Sequence, residues 1–158
     1  MVHVRAFAPE DEDGVARLWS EVFPDDPPRN DPRAMIARKL DRDRELFWVA
    51  IDDGDVVGAV VAGYDGVRGW LYHLAVAPAH RKRGIATALV EQAVGSLRAL
   101  GCVKVNLQVR RGNEGVLGFY EALGWVEDPT MSMGRLLERP REQAVQKAAG
   151  ELRAFGPQ

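Results

Sequence analysis

The apolar positions change period several times along the chain. Residues Val2 to Phe7 read as a short strand. From Glu10 to Phe23, Val15, Leu18, Trp19 and Val22 recur at helical spacing behind an acidic first turn. The run "PDDPPRNDP" breaks that helix, and Asp31 ahead of Pro32 predicts the cap and first position of a second one reaching Leu40. Leu46–Ile51, Val56–Tyr64 and Trp70–Val76 are strand-like runs separated by turns at Asp53-Gly54 and Asp65-Gly66. They predict an antiparallel meander.

After Pro78 the pattern turns helical, with Ala86, Val90, Ala93, Leu97 and Leu100 on one face and Gly101 as the stop. In "VKVNLQV", Val103, Val105, Leu107 and Val109 alternate with Lys104, Asn106 and Gln108, the mark of a half-buried strand. Asn113 can cap another helix, with Val116, Phe119, Tyr120 and Leu123 inward and Gly124 at its end. A last strand is expected near Met131–Leu137. These elements make residues 1–137 one α/β domain, of the α+β kind, and leave 138–158 as a polar, Ala-rich tail that could be helical.

Composition narrows the class. A chain of 158 residues, 46% of them hydrophobic, suits a single globular core. Its apolar runs are far shorter than a bilayer span, and "MVHVRAFAPEDEDG" lacks the features of a secretory or transit peptide, so a cytoplasmic protein without membrane contact is expected. One cysteine, Cys102, and three scattered histidines give neither a disulfide nor a metal-ligand pattern, and no metal is expected.

The net charge of −2 conceals a segregation. Residues 1–66 carry 15 acidic against 8 basic side chains, a balance of −7; residues 67–113 carry 1 against 8, a balance of +7. The middle suits an anion, and the N-terminal part suits a cation. Ordinary solvated charge would give the same totals.

The basic block has a focus in "HRKRGIATALV", where Arg81, Lys82 and Arg83 precede Gly84 and the predicted helix. The first turn of a helix offers unpaired N–H groups and the positive end of its dipole, a setting for phosphate. Neither a P-loop nor the G-x-G-x-x-G pattern is present.

These residues resemble the GNAT superfamily of N-acetyltransferases. Arg81-Lys82-Arg83-Gly84-Ile85-Ala86 matches the family's Arg/Gln-x-x-Gly-x-Gly/Ala signature, and "HLAVAP" before it looks like the family's fourth strand. Downstream, "NEGVLGFYEALGW" is similar to its second signature. Within the superfamily the sequence looks closest to the small bacterial enzymes of the ribosomal-protein alanine N-acetyltransferase type.

The resemblance implies a mixed, mostly antiparallel sheet of about six to seven strands flanked by helices, splayed between strands four and five, with acetyl-CoA in the opening. It implies that Leu74, Ala75 and Val76 hydrogen-bond the pantetheine arm and that the loop and helix start from Arg81 and Lys82 through Arg83, Gly84, Ile85 and Ala86 to Thr87 hold the pyrophosphate. It places Asn113 against the cofactor and makes Tyr120 the general acid. The reaction implied is direct attack on the thioester by an amine of a protein N-terminus, a lysine or a small molecule. A hydroxyl near the sulfur can protonate the leaving thiolate, a strand N–H can stabilise the oxyanion, and no covalent enzyme intermediate is needed.

One position departs from the pattern. The ribosomal-protein enzymes carry a glutamate base in a Leu-Glu-Val-Arg run, where this chain has Leu107-Gln108-Val109-Arg110. Glutamine cannot accept the proton. A water chain, His73, Tyr72, or an acceptor that arrives neutral are the alternatives. Plainer readings stand beside the functional ones: Tyr120 as a packing aromatic, Asn113 as a cap alone, His73 as a structural histidine, Trp48, Trp70 and Trp125 as core or cleft wall, and Cys102 as a small buried residue. A CoA-binding domain without catalysis is the alternative function. A nucleic-acid module is disfavoured by the acidic N-terminal half. Acceptor choice is expected to lie around Trp19–Leu40 and Glu127–Met133, in a monomer or a homodimer.

Overall fold

The computed structural model describes residues 1–137 of the protein, so the expected tail from 138 onward lies outside the described residues. Contacts divide the chain into a unit of residues 1–124 and a second beginning at Trp125. In the first unit, β1 (His3–Ala6), β2 (Phe47–Asp52), β3 (Asp55–Tyr64), β4 (Gly69–Val76) and β5 (Val105–Asn106) form one sheet in chain order. The first four strands pair antiparallel, and β5 joins β4 in parallel, through Gly69 with Val105 and Trp70 with Asn106. The mixed, mostly antiparallel sheet is therefore present, with five strands among the described residues.

Four helices complete the unit: α1 (Glu12–Val22), α2 (Pro32–Asp43), α3 (Ile85–Ala99) and α4 (Glu114–Ala122). The predicted cap of α2 is formed, Asp31 Oδ2 accepting from the Ala34 N–H at 3.1 Å. Both faces of the central strands are covered, which is why β2 reads as a nearly unbroken apolar run rather than an alternating one. On one face Val15, Leu18 and Trp19 of α1 and Ile36 of α2 pack on Phe47, Val49, Ile51, Ala59, Val61 and Ala75. On the other, α3 lies so close that a Cβ at Gly58 would come within 2.9 Å of Leu89 Cδ1. The Asp53-Gly54 turn is as predicted, both residues taking positive φ, 48° and 84°.

Several expectations need correction. The strand expected over 103–109 is only Val105–Asn106, because the parallel ladder ends where β4 turns away, and Val103 is exposed. The buried stripe of α3 is Ile85, Leu89, Val90, Ala93 and Leu97; Leu100 points to solvent, one position past the helix end. On α4 only Tyr120 is fully buried, while Val116 is exposed. No strand forms over 131–137 in the second unit, whose Met131, Met133 and Leu137 are exposed, so no buried face drives pairing there.

Asp11 is a buried carboxylate that ties β1 to the start of α1. Its oxygens accept from Arg5 Nη1 at 2.7 Å, Arg5 Nη2 at 2.9 Å and the Ala8 N–H at 2.8 Å. Burial opposes its ionisation, but the bonds from Arg5 and the Ala8 amide together with the arginine's charge prevail and hold its pKa below the ordinary value. Asp11→Ala is expected to cost about 1.5–3 kcal/mol in urea unfolding near neutral pH. A group depressed in the folded state contributes stability above its unfolded pKa, near 4, and loses it as the pH falls through its folded one. The gap between wild type and variant should therefore close on acidification, and a gap that persisted at low pH would assign the effect to packing.

Candidate functional site

The sheet opens at one place. Beyond Trp70 and Asn106, β4 runs on through Val76 with no strand partner on its β5 side among the described residues, while the chain after Asn106 leaves the ladder. This is the splay expected between the fourth and fifth strands. At its vertex Asn106 Oδ1 is buried with no hydrogen-bond partner among the described residues. Such an acceptor in a folded protein calls for a ligand or water donor.

Within the splayed stretch β4 carries a bulge. Ala59 of β3 pairs with Ala75 and Val61 with Tyr72, so β4 holds one residue more than β3 between those pairs. His73, in the bulge, has φ 51°, a left-handed backbone that a non-glycine residue adopts only under constraint. The constraints are visible. Trp19 Nε1 donates to the His73 carbonyl at 3.1 Å, and the His73 ring stands edge-on to Trp19 and Phe23, with centroids 5.4 and 5.0 Å away. His73 Nε2 lies 2.8 Å from Asp26 Oδ2.

Asp26 belongs to the proline-rich connection between α1 and α2, read in the sequence only as a helix breaker. Its other oxygen accepts from Arg110 Nη2 at 2.5 Å, and Asn30 Nδ2 reaches Oδ2 at 3.4 Å. One carboxylate thus links β4 to the segment after β5 across the opening. Burial works against its charge, but the hydrogen bond and charge of His73, with help from Asn30 and Arg110, keep its pKa below the ordinary value. The only signal in the sequence was an acidic pair inside a turn.

At the far end of β4 the chain passes through the loop 81–84 into α3. Lys82 and Gly84 take φ 61° and 79°, which fold the loop back on itself. The first intrahelical bond is Ala88 N–H to the Gly84 carbonyl at 3.0 Å, and no side chain caps the helix. The N–H groups of Ile85, Ala86 and Thr87 therefore precede the hydrogen-bonded helix, and a Cβ at Gly84 would meet no protein atom within 4 Å. The arginines behave differently from the expectation of converging charge. Arg81 Nε donates back to the Val76 carbonyl at 3.2 Å, and Arg83 lies 3.6 Å from Asp52. Amides, with Lys82 nearby, remain the feature open to an anion.

Of the residues expected to bind the cofactor, Leu74 to Val76 end β4, Arg81 to Thr87 form the loop and the first turn of α3, and Asn113 lies apart from them in sequence. Asn113 begins α4, its Oδ1 accepting from the Val116 N–H at 3.3 Å, so its capping role is seen. Tyr120 is buried, with its ring edge against Phe119, and burial pushes its phenol up to about 12. Gln108 is exposed. Among the described residues no cluster of ligating side chains could hold a metal, and no helix is long and apolar enough to cross a membrane.

A cavity of about 240 Å³ is lined by Trp19, Phe23, Asp26, Pro28, Asn30 and Asp31, inside the region expected to govern acceptor choice. A larger hollow of about 430 Å³ between α1 and α2 includes Arg17 and Arg33 and no residue of β4 or of the 81–87 loop.

The chain is similar to known proteins over most of its length. The model of the acetyltransferase (GNAT) family matches residues 13–125. An acetyltransferase of Pectobacterium atrosepticum is 42% identical over 143 residues, covering 89% of this chain and 99% of that protein. Among solved structures, Ard1 from Thermoplasma volcanium has a TM-score of 0.71 at 26% identity, over 79% of this chain and 82% of its own. An aminoglycoside acetyltransferase from an uncultured soil metagenomic sample has a TM-score of 0.67 at 25% identity, over 87% of this chain and 99% of its own.

Proposed function

The chain belongs to the GNAT family of acetyltransferases, and we propose that it transfers the acetyl group of acetyl-CoA directly to a cationic primary amine. It is an N-acetyltransferase, and acetyl-CoA is the donor this family uses. The observation that carries the reading is the opening of β4 from β5 just ahead of an uncapped helix start.

The residues present fit that donor. The unpaired edge of β4 at Leu74, Ala75 and Val76 supplies backbone groups for an amide-rich arm, and Asn106 Oδ1 supplies an acceptor. The amides of Ile85, Ala86 and Thr87 supply donors for a diphosphate, with Gly84 leaving room for its approach. Tyr120, kept in its protonated form by burial, retains an O–H that can be offered to the departing thiolate.

The acceptor's charge follows from its surroundings. Residues 1–66 have a balance of −7, and Asp26 and Asp31 line the cavity beside the bulge. The likeness to a protein named as an aminoglycoside acetyltransferase supports a polycationic class. Such a field should make kcat/KM for a cationic amine fall as salt rises, because screening shortens its reach. Equal use of acidic and basic amines at low salt would remove the charge argument.

Acetyl-CoA should raise the melting temperature with concentration, as any ligand selective for the folded state does. Gly84→Val adds roughly 1–2 kcal/mol of backbone strain at a left-handed position and so starts from a lower temperature. Its branched side chain enters the open space, so the rise on adding acetyl-CoA should vanish. An undiminished rise would put the diphosphate elsewhere.

Tyr120→Phe keeps the packing ring and removes the hydroxyl. Acetyl-CoA binding should survive and kcat should fall by about 10²–10⁴-fold. Full activity in that variant would end the tyrosine's candidacy.

A further inference from the structure

We propose that His73 is the general base for the incoming amine and that Asp26 is the residue that positions it. The inference rests on the reading that acetyl transfer occurs at the opening beside β4. It answers the vacancy at position 108, where glutamine stands and no proton can be taken.

The geometry determines which nitrogen is available. A carboxylate only accepts hydrogen bonds, so the contact at 2.8 Å from Asp26 Oδ2 requires the proton of a neutral ring to sit on Nε2. The lone pair is then on Nδ1. The His73 side chain keeps 16% of its surface exposed, so the ring is not sealed from a ligand. The ring is held by edge contacts with Trp19 of α1 and with Phe23 just after it, and by Asp26 at Nε2. Asp26 is itself fixed by Arg110 and Asn30. Those two bring an amide and a cation to the pair.

The bulge, with φ 51° at His73, brings the ring to Trp19, Phe23 and Asp26, three residues that also line the acidic cavity. The nucleophile, base and orienting carboxylate would then stand in the order familiar from activated nucleophiles generally.

The step balances. His73 Nδ1 takes one proton from the bound ammonium, and the neutral nitrogen forms a C–N bond to the acetyl carbonyl as the C–S bond breaks. The sulfur takes the proton of Tyr120, and the second amine proton leaves the nitrogen through solvent to restore the phenol. His73 then releases its proton to solvent, giving amide, CoA thiol and one proton.

The test uses the full chain with acetyl-CoA and two probe amines of different basicity, a linear diamine and an aminoglycoside, followed by thiol release. With wild type, the rising limb of kcat against pH should fall at one position for both amines. His73→Gln retains an N–H donor for Asp26 and removes the base; kcat should drop about 10²–10⁴-fold, and its limb should separate to follow each amine. Asp26→Asn should lower kcat and Asp26→Glu should restore part of it. Nitrogen-15 spectra of the labelled ring give a readout that needs no turnover: wild-type His73 should carry its neutral proton on Nε2, and Asp26→Asn should populate the other tautomer. A wild-type limb that follows the amine, an unaltered profile in His73→Gln, or a neutral proton on Nδ1 would overturn the proposal while leaving the transferase reading intact. No thiol release with either amine, from protein that still binds acetyl-CoA, would instead sink cationic-amine transfer at this opening and the base with it.

Discussion

The two-residue length of the β4–β5 ladder is the constraint on which the site depends. A sheet that continued pairing would satisfy its own backbone and leave nothing for a ligand; one that parts inside a folded domain exposes a row of N–H and C=O groups that must find partners. The parting is built rather than accidental. The bulge at His73 re-aims β4, the indole of Trp19 holds the bulged carbonyl, and Arg81 closes the far end of the strand onto the loop. The first two are made by a left-handed backbone and by a residue distant in sequence, the third by a contact five residues along the chain.

Charge is arranged around that opening in two zones. The basic middle of the chain supplies amides and Lys82 at the start of α3, while two of its arginines are turned to local partners, so the anion site is mainly one of backbone dipoles. On the other side, the α1–α2 connection brings Asp26 to His73 and Arg110. The carboxylate therefore connects acceptor-side charge to the geometry of the strand that the donor is proposed to occupy.

Much of this was legible before the fold was known. The meander, the caps at Asp31 and Asn113, the helix after Gly84 and the signature residues follow from local periodicity and short motifs, and each is found where local chemistry puts it. The misreadings come from tertiary context. The alternation over 103–109 was real, but strand length depends on a partner that turns away; the inner face of α3 was read one position off at its end because Leu100 lies beyond the helix. At 131–137 the apolar residues are exposed, so no buried face drives pairing. Asp26 was invisible because its partners lie 47 and 84 residues away, and nothing local marks such a contact.

The most direct check on the central claim is hydrogen exchange at individual amides with and without acetyl-CoA. If the opening between β4 and β5 and the start of α3 hold the donor, protection should rise at Leu74 to Val76 and at Ile85 to Thr87, two short stretches separated by a loop. Unchanged exchange at both, with protection appearing instead around Asp13, Arg17 and Arg33 in the larger hollow between α1 and α2, would contradict the account.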